Sequence, residues 1–485
     1  MTEKFFMTID NEACEAESGE TLDSLNPYTQ QVWAKIPAAS EADVDKAVRS
    51  AHQAFTDGWW RHDPRRRAAA LTRLGDVVDA RAAEYAEIES KDCGKLLSEA
   101  RMVTGVSGSF LRYAASLATT ASIGTTYQGS LPGLECQVIR QPYGVIAVQV
   151  PWNNPTGVLW QEVIAALAAG NTIVVKPSEF ASCSILALTE GIKEADIPPG
   201  VINIVSGLGP VTGAALCSHP LVRKIIFTGG GPAAKIIARQ AAERFVPLVL
   251  ELGGKSAVMV FDDANLEAAA RSTAAAFTGS TGQSCTAASR VLVHRPILDE
   301  FTAKLVRNVS SLVLGDPFDP KSQVGPLISQ EHFDRVSRLV QAGIDEGAQV
   351  LCGGGRPADP GLADCPLFFE PTVFKADPSM RIAQEEVFGP VTCIIPFDNE
   401  KEALAIANGT DYGLGAGIWT SNIHRAQRLS RELYSGTVWV NTYRVGDPGF
   451  TYGGVKESGY GRECGIEGYN EMTYAKSIRI KYEDA

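Results

Sequence analysis

The chain has 485 residues, of which 45% are hydrophobic and 21% charged, and its formal net charge is −12. That length is too great for one ordinary core, so two or three domains are expected in a soluble globular protein. An acidic balance without any long Lys/Arg run excludes a nucleic-acid binder, and no apolar stretch approaches the roughly 18 residues of a membrane span.

The N-terminus, MTEKFFMTIDNEA, has no apolar core of a signal peptide, so secretion is not expected. Residues 40–122 are predicted mostly helical, because apolar residues recur at helical spacing in EADVDKAVRSAHQAF and RRRAAALTRLGDVVDARAAEYAEI. Gly and Pro then punctuate two extended runs between Thr125 and Gly144, which predicts a hairpin interrupting the helical region. From Val145 onward short Val/Ile runs alternate with helical patterns: GVIAVQV, NTIVVK, VINIVSG, KIIFTGG and VPLVLEL read as strands. This alternation predicts a parallel sheet covered by helices. A second α/β series follows Gly254, with strands SAVMVF, SRVLVH, VTCIIPF, AGIWT and GTVWVN. The terminal MTYAKSIRIKY alternates like a strand able to pair with the earlier hairpin.

Chemistry concentrates in three segments. Ten cysteines are scattered without CxxC pairing, which suits reduced thiols in a cytoplasm, and six separate histidines show no HExxH pattern, so no metal site is expected. Of the cysteines only Cys285, in GQSCTAASR, lies in a loop of small polar residues where a thiol can meet a ligand. Such a thiol acts as a nucleophile only with a base and an oxyanion donor nearby. LELGGKSA offers the carboxylate of Glu251 at the end of a buried-looking strand, where desolvation raises a carboxylate toward the range of a general base. VPWNNP offers the amides of Asn153 and Asn154, and the spacing alone does not say which points inward. In KIIFTGGGPAAK, a strand, a Gly-rich turn and a helix follow one another, and Gly229, Gly231 and Ala234 fit the G-x-G-x-x-A pattern that turns backbone N–H groups toward a pyrophosphate.

These three chemical segments, with KPSE (Lys176–Glu179), FTGG (Phe227–Gly230), EEVFGP (Glu385–Pro390) and GGVKESGYGRE (Gly453–Glu463), stand in an order and spacing that resemble the aldehyde dehydrogenase superfamily across nearly the whole chain. The resemblance implies a Rossmann-like cofactor domain (residues 1–122 and 142–252), an α/β catalytic domain (253–453) and a small β oligomerisation sheet (123–141 and 466–485). It implies a homodimer or homotetramer, since a projecting strand leaves an edge for a second subunit.

The same resemblance implies oxidation of an aldehyde to the acid through a hemithioacetal and a thioester on Cys285. Asn153, directly after Pro-Trp, would be the oxyanion donor, and Glu251 the base that hydrolyses the thioester. It implies NAD as cofactor, bound by Trp152, Lys176, Glu179, Gly229, Gly230, Leu252, Glu386 and Phe388. A carboxylate at Glu179 disfavours a 2′-phosphate, so NADP is the less expected partner. The family's turn usually carries Ser and Thr after its first Gly; Gly230 and Gly231 stand there instead, which removes a hydroxyl contact to phosphate. For the substrate, Asn154, Gly157, Gln161, Ser284, Thr286 and Arg444 are expected around a polar pocket, with Arg444 positioned to pair a distal carboxylate. The alternatives are a CoA-acylating or NADP-preferring relative, against which Glu251 and Glu179 speak, and a non-catalytic protein on the same scaffold, which would be free to lose Cys285, Asn153 and Glu251.

Overall fold

A computed structural model describes residues 2–121, 124–362 and 364–482. Residues 1, 122, 123 and 483–485, where several of the expected domain limits fall, lie outside the described residues. Among the described residues the larger sheet has eight strands, in the order Gly459–Tyr460, Leu248–Glu251, Val222–Thr228, Val145–Val150, Thr172–Pro177, Ile202–Ile204, Met7–Ile9 and Glu12–Cys14. The five strands between Leu248 and Ile204 in that order are mutually parallel, whereas both flanks are antiparallel. Chain order along the parallel part reverses between Val145–Val150 and Val222–Thr228, and ligands bind outside the carboxyl ends of strands at such a switch point.

The residues dictate this layering. Ile146, Val148 and Val150 enter one core while Val145 and Ala147 enter the other, and Ile173 and Val175 alternate with Val174 in the same way. A strand apolar on both faces is stable only with cover on both. The first core is covered by the helices Pro64–Ala80, Leu97–Thr120 and Pro155–Ala169, the second by Glu41–Asp57 and Gly231–Ala242. Helix Glu41–Asp57 starts at a reciprocal cap: Asp43 donates its N–H to the Ser40 hydroxyl, and its carboxylate accepts from the Ser40 N–H at 2.9 Å. Helix Pro155–Ala169 has Pro at its first position and ends on Gly170 at φ 91°.

A seven-stranded sheet follows, in the order Gln349–Cys352, Thr372–Lys375, Val391–Phe397, Arg290–His294, Ala257–Val260, Gly415–Trp419 and Thr437–Val440, parallel except at its first strand. Val258, Val260, Val291 and Val293 pack under helices Leu266–Thr278 and Leu298–Ser310, while Ala257, Met259 and Leu292 face the opposite core. The predicted hairpin is Gly124–Gln128 and Leu134–Pro142. As expected, the terminal strand Thr473–Lys481 joins it, antiparallel from Thr473↔Pro142 to Lys481↔Leu134. The strands Met7–Ile9, Glu12–Cys14 and Gly459–Tyr460, which the periodicity does not reveal, complete the first sheet. The stretch around ILALTEGIKEA, expected as one helix, is two short ones, Cys183–Leu186 and Thr189–Glu194. No helix among the described residues is long and apolar enough to cross a membrane.

Candidate active site

The carboxyl ends of the parallel strands converge on two adjoining spaces. A cleft of about 500 Å³ lies at the switch point, lined by Gln149 to Trp152, Lys176, Glu179, Phe227 to Gly230 and the helix Gly231–Ala242. A cavity of about 580 Å³ is lined by Asn153, Asn154, Gln161, Glu251, Leu252, Ser284, Cys285, Thr286 and Arg444. Thr228 lines both, so the two spaces are neighbours.

Cys285 is carried by a loop that the backbone holds under strain. Ser280 and Thr281 have φ of 52° and 56°, a left-handed conformation that costs non-glycine residues free energy. Specific bonds hold it: the Ser280 N–H donates to Glu99 Oε1 at 2.8 Å, and the Thr281 hydroxyl donates to the Gly325 carbonyl at 3.0 Å. The sulfur is half-buried and faces the cavity, 3.5 Å from the Tyr452 hydroxyl. Burial pushes its thiol up to about 11, against the pull of that hydroxyl. The Cys285 carbonyl lies 2.4 Å from where a Cβ on Gly254 would be, so the chain can cross here only at glycine.

Asn153 donates from Nδ2 to the Gln283 carbonyl at 2.9 Å. This bond uses one amide hydrogen and leaves the other for a ligand. The Cys285 N–H has no protein partner among the described residues. Asn154 occupies the N-cap position of helix Pro155–Ala169, but its side chain does not cap that helix; Oδ1 accepts from Lys95 Nζ at 2.6 Å. Lys95 in turn pairs with Glu89 at 2.5 Å, both fully buried, and Glu89 Oε2 accepts from the Thr156 N–H at 3.2 Å. This support beneath Asn154 escapes sequence reading, because Glu89 and Lys95 come together only through the turn at Gly94, φ 73°.

Glu251 ends its strand and is 4% exposed, with no hydrogen bond to either carboxylate oxygen. Burial holds it well above the ordinary carboxylate range, and Glu463 and Glu162 raise it further against the opposing charge of Arg462 and the pull of the nearby Gly454 N–H. Glu463 accepts from Gln161 Nε2 at 3.0 Å, and burial pushes it up to about 7. A Cβ on Gly453, whose φ is 147°, would meet Glu251 Oε1 at 2.7 Å. Neither Glu162 nor Glu463 is singled out by sequence reasoning; the adjacency of Glu463 to GYGR is the one signal available.

The cleft suits a dinucleotide. Lys176 and Glu179 form an ion pair at 3.0 Å on its wall. Burial alone would raise Glu179, but Lys176 outweighs it and the carboxylate is lowered. Gly230 is the N-cap of helix Gly231–Ala242 without any side-chain cap. A Cβ would meet only Pro232 from Gly230 and open space from Gly231. Free helix N-terminal N–H groups beside open space form an anion site. Phe388 is not on the cleft wall; it packs edge-on against Trp152 at 5.4 Å. Glu386 accepts from the Gly254 N–H at 2.9 Å and lies in the field of Cys285. Gly157 lines neither space and instead stands against Val103 and Asn154.

The expected polarity is confined to part of the cavity. Val103, Phe110, Val158, Trp439 and Phe450 form apolar walls, while Arg444, at φ 58°, and Asp447 contribute charge. Arg444 has no ion-pair partner within bonding distance among the described residues, though it lies in the field of Glu99.

Residues 14–478 match the family described as "Aldehyde dehydrogenase family". The chain is 38% identical over 466 residues to (Z)-2-((N-methylformamido)methylene)-5-hydroxybutyrolactone dehydrogenase of Acinetobacter baylyi (strain ATCC 33305 / BD413 / ADP1), covering 96% of this chain and 94% of that protein. It is 40% identical over 472 residues to 2-hydroxymuconic semialdehyde dehydrogenase of Pseudomonas sp. (strain CF600), covering 96% of each. Among solved structures it is similar to a betaine aldehyde dehydrogenase of Staphylococcus aureus in complex with NAD+, with TM-score 0.95, 35% identity, and coverage of 98% of this chain and 97% of that one.

Proposed function

Since the chain belongs to the aldehyde dehydrogenase family, we propose that it oxidises a carboxylated semialdehyde to the diacid, with NAD as hydride acceptor and Cys285 as nucleophile. The observation that carries this reading is the convergence of the Cys285 sulfur, the Asn153 amide and the Glu251 carboxylate on one cavity that adjoins the cleft at the switch point.

After its thiol proton has gone to solvent, the Cys285 thiolate adds to the aldehyde carbon, and the carbonyl oxygen gains the negative charge. The free Asn153 amide hydrogen and the Cys285 N–H stabilise that oxygen; losing one such donor costs about 2.7–4 kcal/mol of transition-state stabilisation. A nicotinamide dinucleotide bound in the cleft would supply the acceptor for the hydride that leaves as the thioester forms. Gly229, Gly230 and the free helix N-terminus would hold its pyrophosphate, Lys176 and Glu179 its adenosine ribose, and Trp152, Leu252, Glu386 and Phe388 its nicotinamide end. Glu179 as a carboxylate repels a 2′-phosphate, which favours NAD over NADP. Glu251 then takes a proton from water as the water attacks the thioester, and Cys285 departs as thiolate. Arg444, without a carboxylate partner of its own, pairs the distal carboxylate of the substrate, a reading supported by the semialdehyde named for one relative.

We read residues 1–122 and 142–252 as the cofactor domain, 253–453 as the catalytic domain, and 123–141 with 466–485 as the assembly sheet of a homodimer or homotetramer. The test of the reaction is NADH formation, followed by absorbance, on adding NAD and a panel of aliphatic, aromatic, amino and carboxylated aldehydes. Wild-type protein is expected to reduce NAD faster than NADP and to favour carboxylated aldehydes. Cys285→Ala is expected to lose turnover while keeping its fold by circular dichroism. Substantial turnover by that variant overturns the assignment of the nucleophile.

A further inference from the structure

We propose that Tyr452 is a further catalytic residue, its phenol donating a hydrogen bond to the Cys285 sulfur and stabilising the thiolate form. The inference rests on Cys285 as the nucleophile and adds a group that favours its thiolate form.

Oη of Tyr452 and Sγ of Cys285 are 3.5 Å apart, within reach of an O–H···S bond. The phenol is not a loosely placed neighbour. The Tyr452 N–H donates to the Glu463 carbonyl and the Glu463 N–H donates to the Tyr452 carbonyl, both at 2.8 Å, so a two-way bridge fixes the backbone beneath the ring. Gly453, confined against Glu251, fixes it from the other side.

The direction of the bond follows from the surroundings. Burial, together with the negative fields of Cys285, Glu251 and Glu463, holds the Tyr452 phenol well above its ordinary value. Once the sulfur is a thiolate it has no proton to give, so the phenol keeps its own and donates, and the sulfur accepts. A thiolate needs such help here. Around Cys285 stand Glu386 and Glu251, whose charges oppose a second anion, the hydroxyl-bearing ring of Tyr443, and Arg444, the favourable charge. Asp447 and Glu463 line the same cavity, and none of the six histidines does. No imidazolium is present to hold the sulfur as an ion pair, which is a common device for activating a cysteine. The phenol is the one side chain within hydrogen-bonding distance of the sulfur among the described residues.

The test uses the full chain without aldehyde or dinucleotide. The rate of carboxamidomethylation by iodoacetamide is followed at the Cys285 peptide by mass spectrometry across a pH series, for wild type and Tyr452→Phe. Loss of the donor is expected to move the alkylation midpoint up by about one pH unit, with neutral-pH alkylation about tenfold slower and the alkaline plateau unchanged. An unmoved or lowered midpoint overturns the proposal. Should Tyr452→Phe fail to fold, the same titration on wild-type protein carrying 3-fluorotyrosine replaces it: a more acidic phenol is expected to lower the midpoint, and an unchanged midpoint overturns the proposal. Alkylation needs no hydride transfer, so this result is separate from the fate of the dehydrogenase reading.

Discussion

Glu89 and Glu251 are both buried near helix Pro155–Ala169, at 0% and 4% exposure, yet they live in opposite circumstances. Glu89 is fully engaged, by Lys95 on one oxygen and by the Thr156 N–H and hydroxyl on the other. Glu251 has no hydrogen bond on either oxygen and shares its surroundings with two more buried carboxylates, Glu162 and Glu463. A satisfied buried charge holds a structure in place, whereas an unsatisfied one is retained at a cost, and Glu251, unlike Glu162, also lines the cavity of Cys285. The first carboxylate, through Lys95, supports Asn154 and the start of its helix. In the proposed reaction the second is the one that acts on water and the thioester.

The largest expected effect separates the two roles. Glu251→Gln is expected to slow thioester hydrolysis by about 10²–10⁴-fold, as for loss of a general base, without loss of stability. Mass spectrometry of the protein after one turnover should then show the acyl group retained on Cys285. Hydrolysis at the wild-type rate would remove Glu251 from the role of base. Glu89→Gln should do the converse, leaving Lys95 as an unpaired buried cation and costing about 3–5 kcal/mol in a denaturant unfolding curve. An unaltered curve would mean that the pair carries no structural weight.

A smaller effect concerns the cavity mouth. Arg444→Ala is expected to raise KM about tenfold for carboxylated semialdehydes, the loss of one charge-assisted bond, and to leave neutral aldehydes unaffected. Equal changes for both classes would dismiss the pairing. The smallest effect is in the pH dependence of stability. Glu463 is raised to about 7, so the folded chain binds its proton more tightly than the unfolded chain. Its contribution is fully present below the ordinary carboxylate range and is lost as pH rises toward and through about 7. Glu463→Gln should flatten that decline in chemical unfolding measured at mildly acid and mildly alkaline pH; a decline as steep as in wild type would place the proton elsewhere in the cluster.

What the sequence reveals and conceals follows from the range of the forces involved. The parallel strands announce themselves because Val145–Val150 and Thr172–Pro177 are apolar on both faces, a local signature of a doubly covered sheet. Cys285 stands out because small polar residues surround it, and Glu251 because it terminates an apolar run. The strands Met7–Ile9, Glu12–Cys14 and Gly459–Tyr460 carry two or three residues each, too few for any period, and exist because a sheet edge was there to receive them. Tyr452 and Glu463 lie beside or within a segment that the sequence does flag, but their bearing on the sulfur and on Glu251 depends on a terminal segment returning across the whole molecule. The support of Asn154 by Lys95 likewise requires two chain regions to meet, so only the three-dimensional arrangement reveals why the asparagine side chain does not cap its own helix.

Gly453 carries a consequence for how faults spread. Its single hydrogen leaves headroom above Glu251, and its neighbours on the bridge hold the phenol against the sulfur. Any side chain grafted there would shoulder the base aside and, through the same few peptide units, pull the hydroxyl from the thiol. On the proposed mechanism one lesion would thus silence both halves of the cycle, the capture of the aldehyde and the release of the acid, although the altered residue itself contributes no functional group.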